Sequence, residues 1–294
     1  MPDNKTRQEK QDSIHASSIE QRIRDNYHRL PASERKVADL ILEFPGELAV
    51  YSATELASQA GSSKAAVTRL IRRLGFQGFD QVRRAARQAQ NWGSPLYLMP
   101  RVQIPQKGRE RIQRHIDQDI SNIDKTFESL SIEFLDEIIQ SIWRAKRVLI
   151  LGYRNSHYLA GYLRWQIMQV RDQVYLLPET GETLAEYLAE ITTDDLVIVI
   201  GFRRRVPEVL RTLNAAISTG SKTLYITDPT ARLNNDVSWT IRCAIQGDNP
   251  LDRYSGAISL LHFLGVSLME FAGDKGRKRL KTIERLHEIL HEFG

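Results

Sequence analysis

Between Gly61 and Gln90 the charged residues are Lys64, Arg69, Arg72, Arg73, Arg83, Arg84 and Arg87, opposed only by Asp80. Cations at this density suit phosphate oxygens and guanine edges, and the short side chains of Ser62, Ser63, Ala65 and Thr68 let a helix lie close to a groove. A second group, Arg203, Arg204 and Arg205, follows the apolar run Leu196–Ile200, and Arg154 stands beside Asn155 and Ser156 after another such run. Guanidinium forks hold carboxylate or phosphate through paired hydrogen bonds. The sequence therefore offers one surface for a polyanion and one set of donors for a small anion, namely Arg154, Ser156 and one or more of Arg203–Arg205.

A helix-turn-helix accounts for the first group. Its leading helix needs a small residue at the crossing, a glycine in the turn and apolar residues inside, and Ala57, Gly61, Val67 and Leu70 fill those places. Gly61 supplies the turn's backbone freedom and Ser63 caps the second helix, about Ser63 to Leu74. That helix directs Ser63, Lys64, Ala65, Thr68, Arg69 and Arg72 outward, with Ser62 and Arg73 at its margins. Arg83, Arg84 and Arg87 lie on a following helix that Asp80 caps, and suit phosphate contact or a solvated face equally. The plainer alternative is a helical hairpin with a solvated basic surface.

Elsewhere the apolar spacing lays out the elements. Ile19, Ile23, Tyr27 and Leu30 mark a first helix ended by Pro31, and Val37, Leu40, Ile41 and Phe44 a second, capped by Ser33 and stopped at Pro45. Residues 1–16 read as a disordered tail, 17–92 as the DNA-binding domain and the Pro- and Gly-bearing stretch 93–107 as a linker. Ile112, Ile116, Ile120, Ile123 and Phe127 mark a long helix, and Phe134, Leu135, Ile138, Ile139 and Ile142 another. Five apolar runs follow: 147–151, 173–177, 196–200, 223–226 and 239–243. Such runs between helical stretches predict a doubly wound α/β domain with a parallel sheet over 108–273, followed by a C-terminal helix over 274–294.

The chain has 294 residues, 41% of them hydrophobic and 26% charged, with a formal net charge of +5, an ordinary balance for two globular domains. No apolar run reads as a bilayer span and the start lacks a signal-peptide core, so no membrane contact and a cytoplasmic location are expected. Cys243, the single cysteine, reads as a small buried hydrophobe. Neither metal-ligand spacing nor a nucleotide-binding glycine motif is present, so no metal and no cofactor are expected.

Residues about 17–92, with Leu30-Pro-Ala-Ser-Glu-Arg-Lys-Val-Ala38, the turn at Gly61 and Leu74-Gly-Phe-Gln-Gly-Phe-Asp80, resemble the N-terminal domain of the RpiR/MurR family of bacterial transcriptional regulators. The remainder resembles the sugar isomerase (SIS) domain of that family. The resemblance implies an operator-binding dimer or tetramer that controls a catabolic operon and senses a phosphorylated sugar. It also sets a pattern against which this chain departs. The usual Gly-x-Gly-x-Ser reads Gly152-Tyr-Arg-Asn-Ser156, with Arg154 in place of the second glycine. The usual Ser-x-Ser-Gly-x-Thr reads Gly201-Phe-Arg-Arg-Arg-Val206, without its hydroxyls. The expected ligand is a small anionic metabolite, sugar phosphate or carboxylate, at Gly152, Arg154, Asn155, Ser156, Gly201, Arg203, Arg204 and Arg205. Alternatively the arginines are solvated or pair with Glu179, Glu182 or Glu208. The segment Pro178–Glu182 reads as loop punctuation, with Thr180 or Glu182 as the residues it could add to the pocket. Two other functions stay open: an isomerase-like enzyme using Glu182, His157 or His262, and a DNA-binding protein whose SIS-like domain only oligomerises. His157 reads as a capping or exposed residue and His262 as a packed one. No residue is assigned a catalytic role.

Overall fold

The computed structural model describes residues 18–91, 94–98, 108–179, 181–232, 234–247 and 251–293. The expected tail, 1–16, lies outside the described residues, as does most of the expected linker. The chain divides into two compact units, one of the residues up to Pro105 and the other of most residues from Gln106 onward.

The first unit is helical: α1 (Ile19–Asn26) runs into a 3-10 turn (Tyr27–Arg29), then α2 (Ala32–Glu43), α3 (Glu47–Val50), α4 (Ala53–Gln59), α5 (Lys64–Arg73), α6 (Phe79–Asn91) and α7 (Pro95–Leu98). Its core gathers Ile23, Val37, Ile41, Leu48, Leu56, Val67, Leu70 and Ile71. Each helix contributes an apolar stripe at three- and four-residue spacing, and burying those stripes together drives the collapse. Two expected caps fall elsewhere. Ser33 is inside α2, which starts at Ala32 behind Pro31, whose extended backbone (φ −61°, ψ 155°) already sets the entry. Asp80 lies in the first turn of α6, where its carboxylate accepts from Arg83 at 2.8 Å. Part of the expected linker is also helix: α7 brings Tyr97 against the core, and Gln90 Nε2 donates to the Tyr97 carbonyl at 3.1 Å.

In the second unit, α8 (Arg109–Phe127) and α9 (Ile132–Arg144) precede β1 (Val148–Gly152), α10 (Asn155–Met168), β2 (Val174–Leu177), α11 (Ala185–Ala189), β3 (Leu196–Gly201), α12 (Pro207–Ser218), β4 (Lys222–Thr227), β5 (Trp239–Arg242) and α13 (Ser255–Leu290). All strands pair in parallel in the order β2-β1-β3-β4-β5. β1 and β3 are buried along their whole length, which explains their unbroken apolar sequences. Ile150, Ile198, Ile226 and Ile241 face the core shared with α9, α10 and α13, while Leu149, Val197 and Val199 face α12.

α13 breaks at Gly273 (φ 52°, ψ −129°), near the expected start of the terminal helix. By length and hydropathy it is the one helix among the described residues that could cross a membrane. Here its residues Leu260, Leu261, Leu264 and Leu268 are fully buried in the core beside the sheet. α8 departs from its periodicity. Asn122 and Thr126 are buried, with Asn122 Nδ2 donating to the Gln246 carbonyl at 2.7 Å and the Ala244 amide to Thr126 Oγ1 at 3.0 Å. Ile112, Ile116 and Ile120 are 61%, 43% and 51% exposed. Unpaired backbone groups beside the sheet edge cost more than exposed methyl groups, so the polar stripe turns inward.

Candidate nucleic-acid interface and ligand site

α4 and α5 form the expected hairpin of helices. Ser52 and Glu55 close a capping box at the start of α4, with the Ser52 amide donating to Glu55 Oε2 at 2.7 Å. Gly61 takes φ 56° in the turn, and the Ser62 amide reaches the Ala57 carbonyl at 2.9 Å. Ser63 caps α5 by accepting from the Ala66 amide at 3.2 Å. Ala66, Val67, Leu70 and Ile71 are buried, so Lys64, Ala65, Thr68, Arg69, Arg72 and Arg73 face solvent.

Hydrogen bonds divide that outer set. Ser62 Oγ donates to the Ser33 carbonyl at 2.7 Å and fastens the turn to α2. Glu34, buried on α2, accepts from Arg73 Nε at 2.9 Å and pairs with Arg69 at 3.5 Å. Arg73 thus latches α5 to α2, and Arg69 shares the latch while its side chain stays 56% exposed. Lys64 and Arg72 have no side-chain partner among the described residues, and Thr68 Oγ1 donates back to the Lys64 carbonyl at 3.1 Å. On α6, Arg83 is taken by Asp80 and Arg87 Nε by the Ala49 carbonyl at 3.0 Å, leaving Arg84 exposed.

In the second unit the strand order reverses between β1 and β3, the position at which open α/β sheets form a binding crevice beyond the carboxyl ends of their strands. The two glycine-led segments flank it. A Cβ on Gly152 would lie 2.2 Å from the Ser156 carbonyl oxygen, so only glycine permits the tight turn from β1 into α10. Ser156 is buried, and its Oγ accepts from the Phe202 amide at 3.5 Å, joining the two loops across the crevice. Arg154 and Arg204 both adopt left-handed backbone, at φ 55° and φ 61°. Gly-like conformations in arginines store strain at the loop tips.

The three consecutive arginines take different roles. Arg205 folds back onto the strand ends, where Nε donates to the Gly201 carbonyl at 2.9 Å and Nη2 to Thr227 Oγ1 at 3.0 Å and to the fully buried Asp228. Arg203 pairs with Asp252, although its Nε finds no partner among the described residues. Burial pushes the Asp252 carboxyl above its ordinary value, with Arg203 opposing that rise. Only Arg204, half-buried, and Arg154, exposed, keep guanidiniums without a partner among the described residues. Two of the three anticipated acidic partners are engaged elsewhere: Glu208 with Arg211 at 3.3 Å, and Glu182 as acceptor of the Tyr187 hydroxyl.

Three contributors escaped the sequence reading. Asp228 and Asp252 neutralise arginines 23 and 49 residues away, and Tyr254 packs on Phe202 (ring centroids 5.4 Å apart) while its hydroxyl bonds Asn155 and Asp252. No short-range pattern signals such pairings; an acid directly after a parallel strand, Thr227-Asp228, is the one available hint. Among the other candidates, His262 is exposed rather than packed, with Nδ1 3.3 Å from the Tyr162 hydroxyl, and His157 lies edge-on to Tyr158. Thr180 lies outside the described residues. Cys243 is fully buried and its thiol is pushed up to about 12 by burial and by Asp228, as an inert core residue requires.

The architecture is that of a helix-turn-helix module joined to a parallel α/β module with a strand-end crevice, the class of two-domain transcriptional regulators. The rpiR-family helix-turn-helix model matches residues 17–90 and the SIS domain model residues 141–237. The chain belongs to the RpiR family of transcriptional regulators. It is 27% identical over 206 residues to the HTH-type transcriptional regulator YbbH of Bacillus subtilis, covering 70% of this chain and 72% of that one. The sugar isomerase domain of an RpiR transcription factor from Sphaerobacter thermophilus shares the fold at 21% identity and TM-score 0.55, over 60% of this chain and 99% of that one. The Vibrio vulnificus NanR protein complexed with ManNAc-6P does so at 18% identity and TM-score 0.54, over 93% and 99%.

Proposed function

We propose that this regulator reads operator DNA with the outer face of α5 and that a small anionic metabolite, bound at the β1/β3 crevice, controls its affinity for that DNA. Lys64, Ala65, Thr68, Arg69 and Arg72 form the reading face, Ser63 sets the helix start, and Ser62 and Arg73 hold the helix in place. In the crevice, Arg154 and Arg204 are the principal donors, Arg203 adds its free Nε–H, and Gly152, Asn155, Ser156 and Gly201 shape the loops. Arg205 is a structural member of the site.

The observation that carries this reading is the contrast within one loop. Asp252 and Asp228 neutralise Arg203 and Arg205, while two strained guanidiniums stay unpaired where an α/β fold binds ligands. A phosphate or carboxylate would supply their missing partner. That the NanR relative is complexed with ManNAc-6P supports a sugar phosphate as the first candidate. A single α5 covers one half-site, so the active form is a homodimer or homotetramer acting in the cytoplasm; the exposed Ile112, Ile116, Ile120, Ile258, Val266 and Met269 are available for its contacts.

The test is a mobility-shift titration of the intergenic DNA upstream of the chain's own gene, in the presence of sugar phosphates and dicarboxylates. The expected result is an operator affinity that one anion shifts about tenfold or more and that no longer responds in the Arg154→Ala/Arg204→Ala variant. An unshifted operator affinity across the panel, or a response that survives in the variant, overturns the sensing site.

A further inference from the structure

A second basic concavity lies at the opposite end of the sheet. Lys146 and Arg171 precede β1 and β2, so they sit at the amino ends of the strands, away from the crevice. With the final segment of α13 they line a cleft of about 610 Å³. Its floor is Trp143, Ala145 and Val170, its rim is Lys146, Lys275, Lys278 and Arg279, and Asp172 is the one carboxylate among its lining residues.

Folding alone does not ask for this arrangement. Lys275, Lys278 and Arg279 stand at i, i+3 and i+4, a spacing that stacks like charges on one face and weakens a helix. This segment packs against Val170 at Gly276, where a Cβ would meet the Val170 side chain at an ordinary contact distance of 3.5 Å and would crowd the Ala272 Cβ at 2.7 Å. The deeper wall holds a second like-charged pair. Arg171 is buried and donates only to carbonyls, including Asp172 O at 2.9 Å and Lys146 O at 3.2 Å. Beside it, Arg279 Nε donates to the Met168 carbonyl at 3.0 Å. Burial lowers the Arg171 pKa, with Asp172 opposing that fall and repulsion from Arg279 adding to it. Lys146, Lys275 and Lys278 are exposed and have no side-chain acid partner among the described residues.

We infer that this cleft is a second anion site, distinct from the strand-end crevice, which takes a multiply phosphorylated small molecule. Several phosphate groups match a rim of separated ammonium and guanidinium groups that a single carboxylate would leave mostly unpaired. The half-buried Trp143 and its apolar neighbours give the floor a face for a ring attached to those phosphates.

Isothermal titration of the full chain with inorganic tripolyphosphate and, separately, with ATP tests the site. The expected result is saturable binding of one ligand per chain, weakened about tenfold or more in Lys275→Glu/Lys278→Glu. Both residues are exposed, so unchanged circular dichroism confirms that the variant is folded. Binding must persist in Lys64→Ala/Arg72→Ala, which removes cations of the DNA-reading face, and in Arg154→Ala/Arg204→Ala, which empties the proposed crevice. ATP binding more tightly than tripolyphosphate assigns the Trp143 floor to a nucleotide ring; equal affinities assign the site to the phosphates alone. Absence of saturable heat, binding insensitive to the charge reversal, or a charge-reversal effect confined to duplex DNA overturns the inference.

Discussion

The reading helix and the crevice loop each carry three arginines close together, and each leaves one of them free. On α5, Arg69 and Arg73 share Glu34 while Arg72 faces water; after β3, Arg203 and Arg205 are held by Asp252 and Asp228 while Arg204 has no partner among the described residues. The difference lies in depth. The α5 pair keeps 56% and 44% of its side-chain surface exposed, whereas Arg203 and Arg205 keep 15% and 14%. Two arginines on one acid allow Arg69 to turn toward a phosphate while Arg73 still satisfies the buried carboxylate. One arginine per buried acid allows no such exchange, because withdrawal leaves a bare charge inside the protein. The same residue type is thus a contact group in one place and a structural strut in the other.

The largest effect that would break this contrast is in stability. Arg205→Ala strands the fully buried Asp228 carboxylate, whose remaining partners are the Thr230 amide and hydroxyl. Its expected cost is about 3–5 kcal/mol in urea unfolding, against less than about 0.5 kcal/mol for Arg204→Ala. Equal midpoints for the two variants would erase the distinction between strut and free group.

A smaller effect sharpens the other side of the comparison. Arg72→Ala should weaken operator binding by about 1–3 kcal/mol if the side chain meets a base, or flatten the salt slope by about 1 if it meets a phosphate, with the midpoint of unfolding unchanged. Arg73→Ala should leave the salt slope alone and lower stability by about 1 kcal/mol, since Arg69 still pairs with Glu34. Fluorescence anisotropy at two salt concentrations, run beside urea unfolding, reads both. A flattened slope in Arg73→Ala would move that residue from latch to DNA contact.

How much of this was legible in the sequence follows from what fixes a side chain's direction. On α5 the 3.6-residue period decides which residues face out, and the positions of Val67 and Leu70 alone orient the whole basic set. The parallel sheet was equally readable, because strands covered on both faces must be apolar throughout. In the loop after β3 no period operates, and the direction of each arginine depends on backbone angles such as φ 61° at Arg204 and on acids far along the chain. Charge at the site was therefore visible while its neutralisation was not. α8 misled in the opposite sense: its isoleucines have perfect helical spacing, yet the buried stripe is Asn122 and Thr126, because the neighbouring backbone needed donors and acceptors.

A smaller net change in stability, at Arg154, joins the two kinds of legibility. Arg154 stands where the family pattern has glycine, and its backbone, at φ 55° and ψ −129°, is the conformation glycine would supply. Holding an arginine there costs about 1–3 kcal/mol. Arg154→Gly removes that strain but restores the greater freedom of an unfolded glycine, which returns about 0.5–1 kcal/mol. The net expectation is a gain of about 1 kcal/mol in urea unfolding, together with an operator affinity that responds about tenfold less to the anion. A variant that is more stable yet deaf to ligand identifies the strained guanidinium as a sensing group. A variant that is less stable shows instead that the side chain serves the fold, and the crevice would then hold Arg204 as its one free cation among the described residues.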